Sequence, residues 1–164
     1  MGLFESEESP SDASVEIIDI DNDLDIFKNQ LRIQDLQNEC KSIEQVECKT
    51  DHMFSDGVYV RTMFVPAGTF VIGKVHKFKT VNIMTKGTAL IYAGPNKPAV
   101  KIEAPLTFVS NPMERKMAFF LEDSEWVNVH PTEQTDLEKI ESEFIIPDEE
   151  YLNILDKRGS LCLG

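Results

Sequence analysis

The chain has 164 residues, a net charge of −13, 41% hydrophobic and 9% aromatic residues. That length suits one domain with a real core, and the composition excludes wholesale disorder. Charge is segregated: nine acids and no base in residues 1–25, with eight acids against one Lys in residues 133–150, account for −16 and leave the remainder near +3.

Without clustered Lys and Arg, no grip on a nucleic-acid backbone is expected. Acidic ends serve solubility; a sharper reading has them dock on a basic partner or mimic a polyanion. Cys40, Cys48 and Cys162 are odd in number and form no C-x-x-C pair, so neither a disulfide framework nor a structural zinc site is expected, and the compartment reads as reducing. The acidic N-terminus lacks the basic start of a signal peptide. Apolar runs such as residues 117–121 are too short to span a membrane.

Residues 1–22 read as an acidic mobile arm, rich in Ser, Glu and Asp, with a short apolar and acidic strip at 15–20. Residues 23–50 form a helical lead-in. Leu24, Phe27, Leu31 and Leu36, and more loosely Ile33 and Ile43, recur at three to four residues and predict a helix over 23–45 that packs one face on the core.

From residue 51 to 132 the pattern changes to short apolar stretches broken by turn residues. Strands are expected at 58–65, 70–76, 81–84, 88–93, 100–102, 106–110, 117–121 and 126–130. Pro66-Ala67-Gly68 and Gly94-Pro95-Asn96 supply turn chemistry. Eight short strands at this spacing predict a sandwich or jelly roll. His52 falls in an expected loop, as a solvent-exposed histidine.

Residues 133–164 form a C-terminal helix and tail. Thr135-x-x-Glu138 reads as a capping box. Leu137, Ile140 and Phe144 make an apolar stripe on a short helix ending before Pro147. Tyr151, Leu152, Ile154 and Leu155 are suited to packing on a neighbour, and residues 159–164 are expected to be loose.

The run from Val65 to His76, followed by Asn82 to Gly87, resembles the first signature of the cupin family. The run from Ala104 to Lys116 resembles the approach to the second. His52-Met53-Phe54, the stretch from Ile72 to His76, the stretch from Glu122 to Leu137 and the stretch from Ile140 to Ile145 are similar to small cupin-like proteins of tailed phages. The resemblance covers roughly residues 50–146. It implies a mainly β fold, a cupin-like jelly-roll barrel with an N-terminal helix and a short C-terminal helix.

The family's first motif, H-x-H-x3-E, here reads His76, Phe78 and Asn82. Positions i, i+2 and i+6 of a strand share a face, which is how that spacing gathers metal ligands. The second motif, P-x-G-x2-H, reads Pro112, Glu114 and Met117. One imidazole and a weak amide donor cannot hold a transition metal, so neither a metal nor any other cofactor is expected.

By parity Lys74, His76, Phe78 and Asn82 share one inward face, and Trp126, Asn128 and His130 another. Filling of a small barrel by aromatic side chains is the plainer explanation of this set. A pocket for a small anionic or aromatic ligand is the sharper one. Lys77 and Lys79 alternate outward, either as a solvated face or as a docking surface for acidic tails.

The resemblance implies a non-enzymatic structural or assembly component of a tailed-phage virion, at the tail, collar or head surface. That role has the chain partnering itself as a homo-oligomer and other virion proteins. The alternative is a soluble phage-encoded protein in the infected cell that sequesters a small ligand or a host protein. The expected location is thus the virion or the host cytoplasm. A third reading, a metal-free isomerase-type barrel, would take His76 or His130 as general base. No G-x-S-x-G, phosphate-cradling loop or H-E-x-x-H motif supports other catalysis.

Overall fold

A computed structural model describes residues 20–94 and 96–162, with side chains described for residues 28–94 and 96–158. The N-terminal arm and its apolar strip therefore lie outside the described residues, apart from the helical backbone that begins at Ile20.

The fold is mainly β, as expected, with helices at both ends. Helix α1 (Ile20–Cys40) leads in. Eleven strands follow: β1 (Thr50–Ser55), β2 (Val58–Val65), β3 (Phe70–Ile72), β4 (Val75–His76), β5 (Thr80–Lys86), β6 (Thr88–Ile91), β7 (Val100–Glu103), β8 (Leu106–Ser110), β9 (Met117–Phe120), β10 (Ser124–Pro131) and, after α2 (Leu137–Phe144), β11 (Ile145–Ile146). Helix α3 (Asp148–Cys162) closes the described chain.

Two antiparallel sheets face each other, with strand orders β1-β2-β10-β5-β8 and β3-β9-β6-β7. This is the expected jelly-roll arrangement, but the sheets remain separate and the barrel is not closed. A two-stranded ribbon, β11-β4, sits at one end. Among the described residues no helix is long and apolar enough to cross a membrane.

Alternation builds the core. Val65, Met84, Ala89, Ala118, Phe120 and Trp126 are buried between the sheets, and Trp126 meets Phe120 and Phe108 edge-on. On the outer face of the larger sheet, Met53, Val60, Val129, Val81 and Val109 stand in register across all five strands. Helix α2 lays Ile140 and Phe144 over the open end against Tyr59. Burying each such side chain is worth about 1.5–3 kcal/mol.

Several elements depart from the sequence expectations. The strand expected over 70–76 is broken at Gly73 and Lys74, where the Gly73 N–H donates to the Lys116 carbonyl at 2.8 Å and the chain turns to pair β4 with β11. His52 lies on β1, not in a loop. Asp136, not Thr135, caps α2: its carboxylate accepts from the N–H groups of Glu138 and Lys139. Residues 159–162 continue α3, and Tyr151 and Leu155 of that helix are buried against Val75 and Ile146.

Helix α1 stops at Cys40, not near residue 45; of the expected apolar stripe Ile33 is buried and Leu36 half-buried, Leu31 and Ile43 are exposed, and the side chains of Leu24 and Phe27 lie outside the described residues. Gln30 and Gln34 are buried as well. The reason is Arg115, buried at 2% exposure, whose backbone N–H donates to Gln30 Oε1 and whose guanidinium donates to Gln37 Oε1 and Asp148 Oδ1. A buried guanidinium needs acceptors: Gln37 of α1 and Asp148 of α3 supply them, while Gln30 takes the Arg115 backbone N–H.

Candidate functional site

Three inward-facing rungs cross the larger sheet. The lowest joins Met63, Trp126 and Met84; the middle joins His52, Arg61, Asn128 and Asn82; the upper pairs Tyr59 with His130. Val71, Ile91, Ala118 and Phe120 form the facing wall, and Leu137, Ile140 and Phe144 of α2 roof the space. Between them lies a cavity of about 470 Å³, within the range of small-ligand pockets.

The middle rung is held rigidly. Asn82 Nδ2 donates to the Thr80 carbonyl (2.9 Å) and to Ser110 Oγ (3.1 Å), while its Oδ1 accepts from Trp126 Nε1 (3.2 Å) and Asn128 Nδ2 (2.9 Å). Above it, the Tyr59 ring is stacked with both His52 and His130, each at a centroid separation of 5.9 Å. The Tyr59 hydroxyl and His52 Nδ1 share a 2.7 Å hydrogen bond. His130 meets His76 edge-on at 5.5 Å and tilts against Phe144 at 4.6 Å. All three histidines of the chain thus line one cavity.

Electrostatics distinguish this lumen from the rest of the molecule. Burial, reinforced by the charges of His130, Lys116 and Arg61, lowers the His76 pKa to about 4. Burial and Arg61 also lower that of His130, against the pull of Glu143. Both imidazoles are therefore neutral near pH 7. Burial lowers Lys116, opposed by Glu114, and raises the Tyr59 phenol.

Arg61, Lys74 and Lys116 line the cavity, and Glu141 is its one acid among the described residues. Lys74 pairs with that Glu141 at 2.5 Å. Arg61 and Lys116 form no ion pair among the described residues. A chain of net charge −13 therefore encloses a cavity with two cations outside any ion pair among the described residues.

Six of the seven residues the sequence placed on inward faces, Lys74, His76, Asn82, Trp126, Asn128 and His130, line this one cavity. Phe78 does not: it is 55% exposed, edge-on to Phe144 at 6.0 Å. Residues 77–79 form the bend between β4 and β5, so strand parity does not carry from His76 through Phe78. Lys77, expected to point outward, is half-buried and committed to α2, donating its N–H to the Phe144 carbonyl and its Nζ to the Ser142 carbonyl. Lys79 is exposed.

Sequence reasoning passes over Tyr59, Arg61 and Lys116. The first two are findable, because Tyr59, Arg61 and Met63 alternate on β2 as Trp126, Asn128 and His130 do on β10. Lys116 lies in the segment before β9, and no periodicity marks it.

The cupin metal does not fit these residues. Of the first-motif positions, Phe78 faces away from the lumen and both hydrogen-bonding ends of Asn82 are consumed by protein partners. Among the described residues no three His, Cys, Asp or Glu side chains converge as a ligand set.

No protein-family model and no curated protein sequence matches the chain. Similar solved structures include a cupin-2 domain protein from Shewanella frigidimarina (12% identity, TM-score 0.40, 59% of this chain and 92% of that one). A cupin domain from Bordetella pertussis shares 13% identity at a TM-score of 0.41, over 56% of this chain and 99% of that one. An acetylacetone dioxygenase from Acinetobacter johnsonii shares 15% identity at a TM-score of 0.44 over 53% of this chain. This chain spans only 61% of the dioxygenase.

Proposed function

We propose that the protein is a small-molecule binding protein whose lumen takes an organic anion through side chains alone. The observation that carries this reading is the pair Arg61 and Lys116: both line a roofed cavity, and neither has a carboxylate partner among the described residues. Placing two cations in a partly desolvated space costs free energy; Glu114 offsets part of it for Lys116, no ion pair among the described residues does so, and an anionic guest would. The neutral imidazoles of His76 and His130 add hydrogen-bonding capacity without charge.

Of the three readings drawn from the sequence, this is the small-ligand form of the soluble binding protein. The virion role rests on resemblance alone, and the arm assigned to it lies outside the described residues. The anchoring group on the ligand is a carboxylate or another compact anion. Calorimetric titration should show binding of hexanoate but not of neutral hexanamide, and Arg61→Met and Lys116→Met should each weaken hexanoate by about tenfold or more. Equal binding of acid and amide, or an affinity unmoved by both substitutions, defeats the proposal.

A further inference from the structure

Resting on the reading of the lumen as an anion chamber, we infer that its ligand is a small hydroxy acid. Its carboxylate meets Arg61 and Lys116, and a neighbouring hydroxyl donates to Oδ1 of Asn128.

The inference starts from Asn82. The Thr80 carbonyl can only accept, so the amide nitrogen of Asn82 must face it, and Oδ1 faces the lumen side. That oxygen accepts from Asn128 Nδ2, which fixes Asn128 in turn: its nitrogen points to Asn82 and its Oδ1 points away. Asn128 Oδ1 accepts no hydrogen bond from the described residues, yet it is not sealed, since Asn128 lines the cavity. The middle rung therefore presents a fixed acceptor on the residue paired across the ladder with Arg61, which also lines the cavity.

A bare anion brings only acceptors. It would satisfy Arg61 and Lys116 but set an oxygen against the Asn128 carbonyl. A hydroxyl on the adjacent carbon supplies the missing donor. The spacing suits this, because side chains directly opposite on antiparallel strands start about 5 Å apart at Cβ. The planar guanidinium favours a carboxylate, which it can grip through two parallel N–H groups. Below the rung, Trp126, Phe120 and Met63 offer an apolar floor for the rest of the carbon chain.

The test compares matched acids on the intact chain by calorimetry. 2-Hydroxyhexanoate should bind about tenfold more tightly than hexanoate, the effect of one well-made hydrogen bond at a prepared acceptor. Asn128→Leu should abolish that preference, and Arg61→Met should weaken both acids. Equal affinities of the two acids for the wild-type chain, with both lost in Arg61→Met, overturn the hydroxyl assignment and leave the anion chamber standing. Binding of neither acid overturns both. Preference for glycerol 3-phosphate or inorganic phosphate over both acids overturns the carboxylate assignment. The wild-type comparison decides the matter even where Asn128→Leu does not fold.

Discussion

The indole N–H of Trp126 donates to Oδ1 of Asn82 across 3.2 Å, and that oxygen also receives Asn128. Asn82, which the sequence resemblance sets at the acid position of the cupin signature, is therefore a structural keystone. Asn82 is 2% exposed and joins β5 to β10 and β8 through side-chain bonds. Asn82→Leu should cost about 2–4 kcal/mol, because it leaves several buried polar groups without partners. Urea unfolding measures this directly, and a loss under about 1 kcal/mol would contradict the keystone role.

A second prediction concerns Gly87, between β5 and β6. Its φ is +94°, and a Cβ there would lie 2.8 Å from Cα of Ser124 and 2.7 Å from its Cβ. Backbone at that distance cannot swing aside as a long side chain does. Gly87→Ala should therefore destabilise by more than about 3 kcal/mol, combining left-handed strain with a clash. Gly68 has φ +76°, and a methyl added there would meet nothing within 4 Å, so Gly68→Ala should cost only about 1 kcal/mol. Similar melting temperatures for the two variants would show that close approach at Ser124 is not what constrains Gly87.

The strands are legible in the sequence because alternation and turn residues report directly on a two-sheet packing. The strand expected at 58–65 and the one at 106–110 match β2 and β8 at both ends. His52 reads as a loop residue because β1 is an edge strand with mostly exposed residues, and an edge strand without a buried face shows no alternation. Phe78 is misplaced when parity is carried through a bend. The α1 face misleads for a different reason: a helix that serves a buried arginine buries glutamines, and hydrophobic periodicity cannot reveal that. Half of the lumen is visible in β10 and the His76 segment. Arg61 escapes notice while β2 is treated as framework, although its own alternation places it inside.

The α1–α3 junction gives a third prediction. Arg115 donates to Asp148 Oδ1 at 2.6 Å and lies over the Tyr151 ring at 5.4 Å, while its Nε is buried without a partner among the described residues. The Tyr151 hydroxyl completes the cluster, set between Gln30 Oε1 and the Met113 carbonyl at 2.9 Å from each. Arg115→Ala should cost about 2–4 kcal/mol, mainly because it empties a packed site, since Asp148 is half-exposed and water can take its freed oxygen. Tyr151→Phe removes only the hydroxyl and should cost about 1–2 kcal/mol. Hydrogen exchange should then show α3 opening before the sheets in Arg115→Ala. Uniform loss of protection across sheets and helices would mean that the helices are not a separable layer.

The last prediction follows from the neutral histidines. His76 titrates near 4 in the folded chain, against about 6.5 when unfolded. Between those values the unfolded chain binds a proton that the folded chain refuses. Stability from this group is thus complete above about pH 6.5 and is lost progressively down to pH 4, by about 3 kcal/mol at most. His130, lowered for the same reason of burial with Arg61 close by, acts in the same direction. Asp148 acts lower on the scale: burial would raise its carboxyl, but the hydrogen bond and charge of Arg115 prevail and hold it below its usual range. Its contribution is present above the unfolded pKa and disappears as pH falls through the folded one. Urea midpoints should therefore decline from pH 7 to pH 4, and His76→Phe should flatten much of that slope. An NMR titration in which the His76 ring shifts with a midpoint near 6.5 would show that the cavity is hydrated around it and that its burial does not govern the acid response.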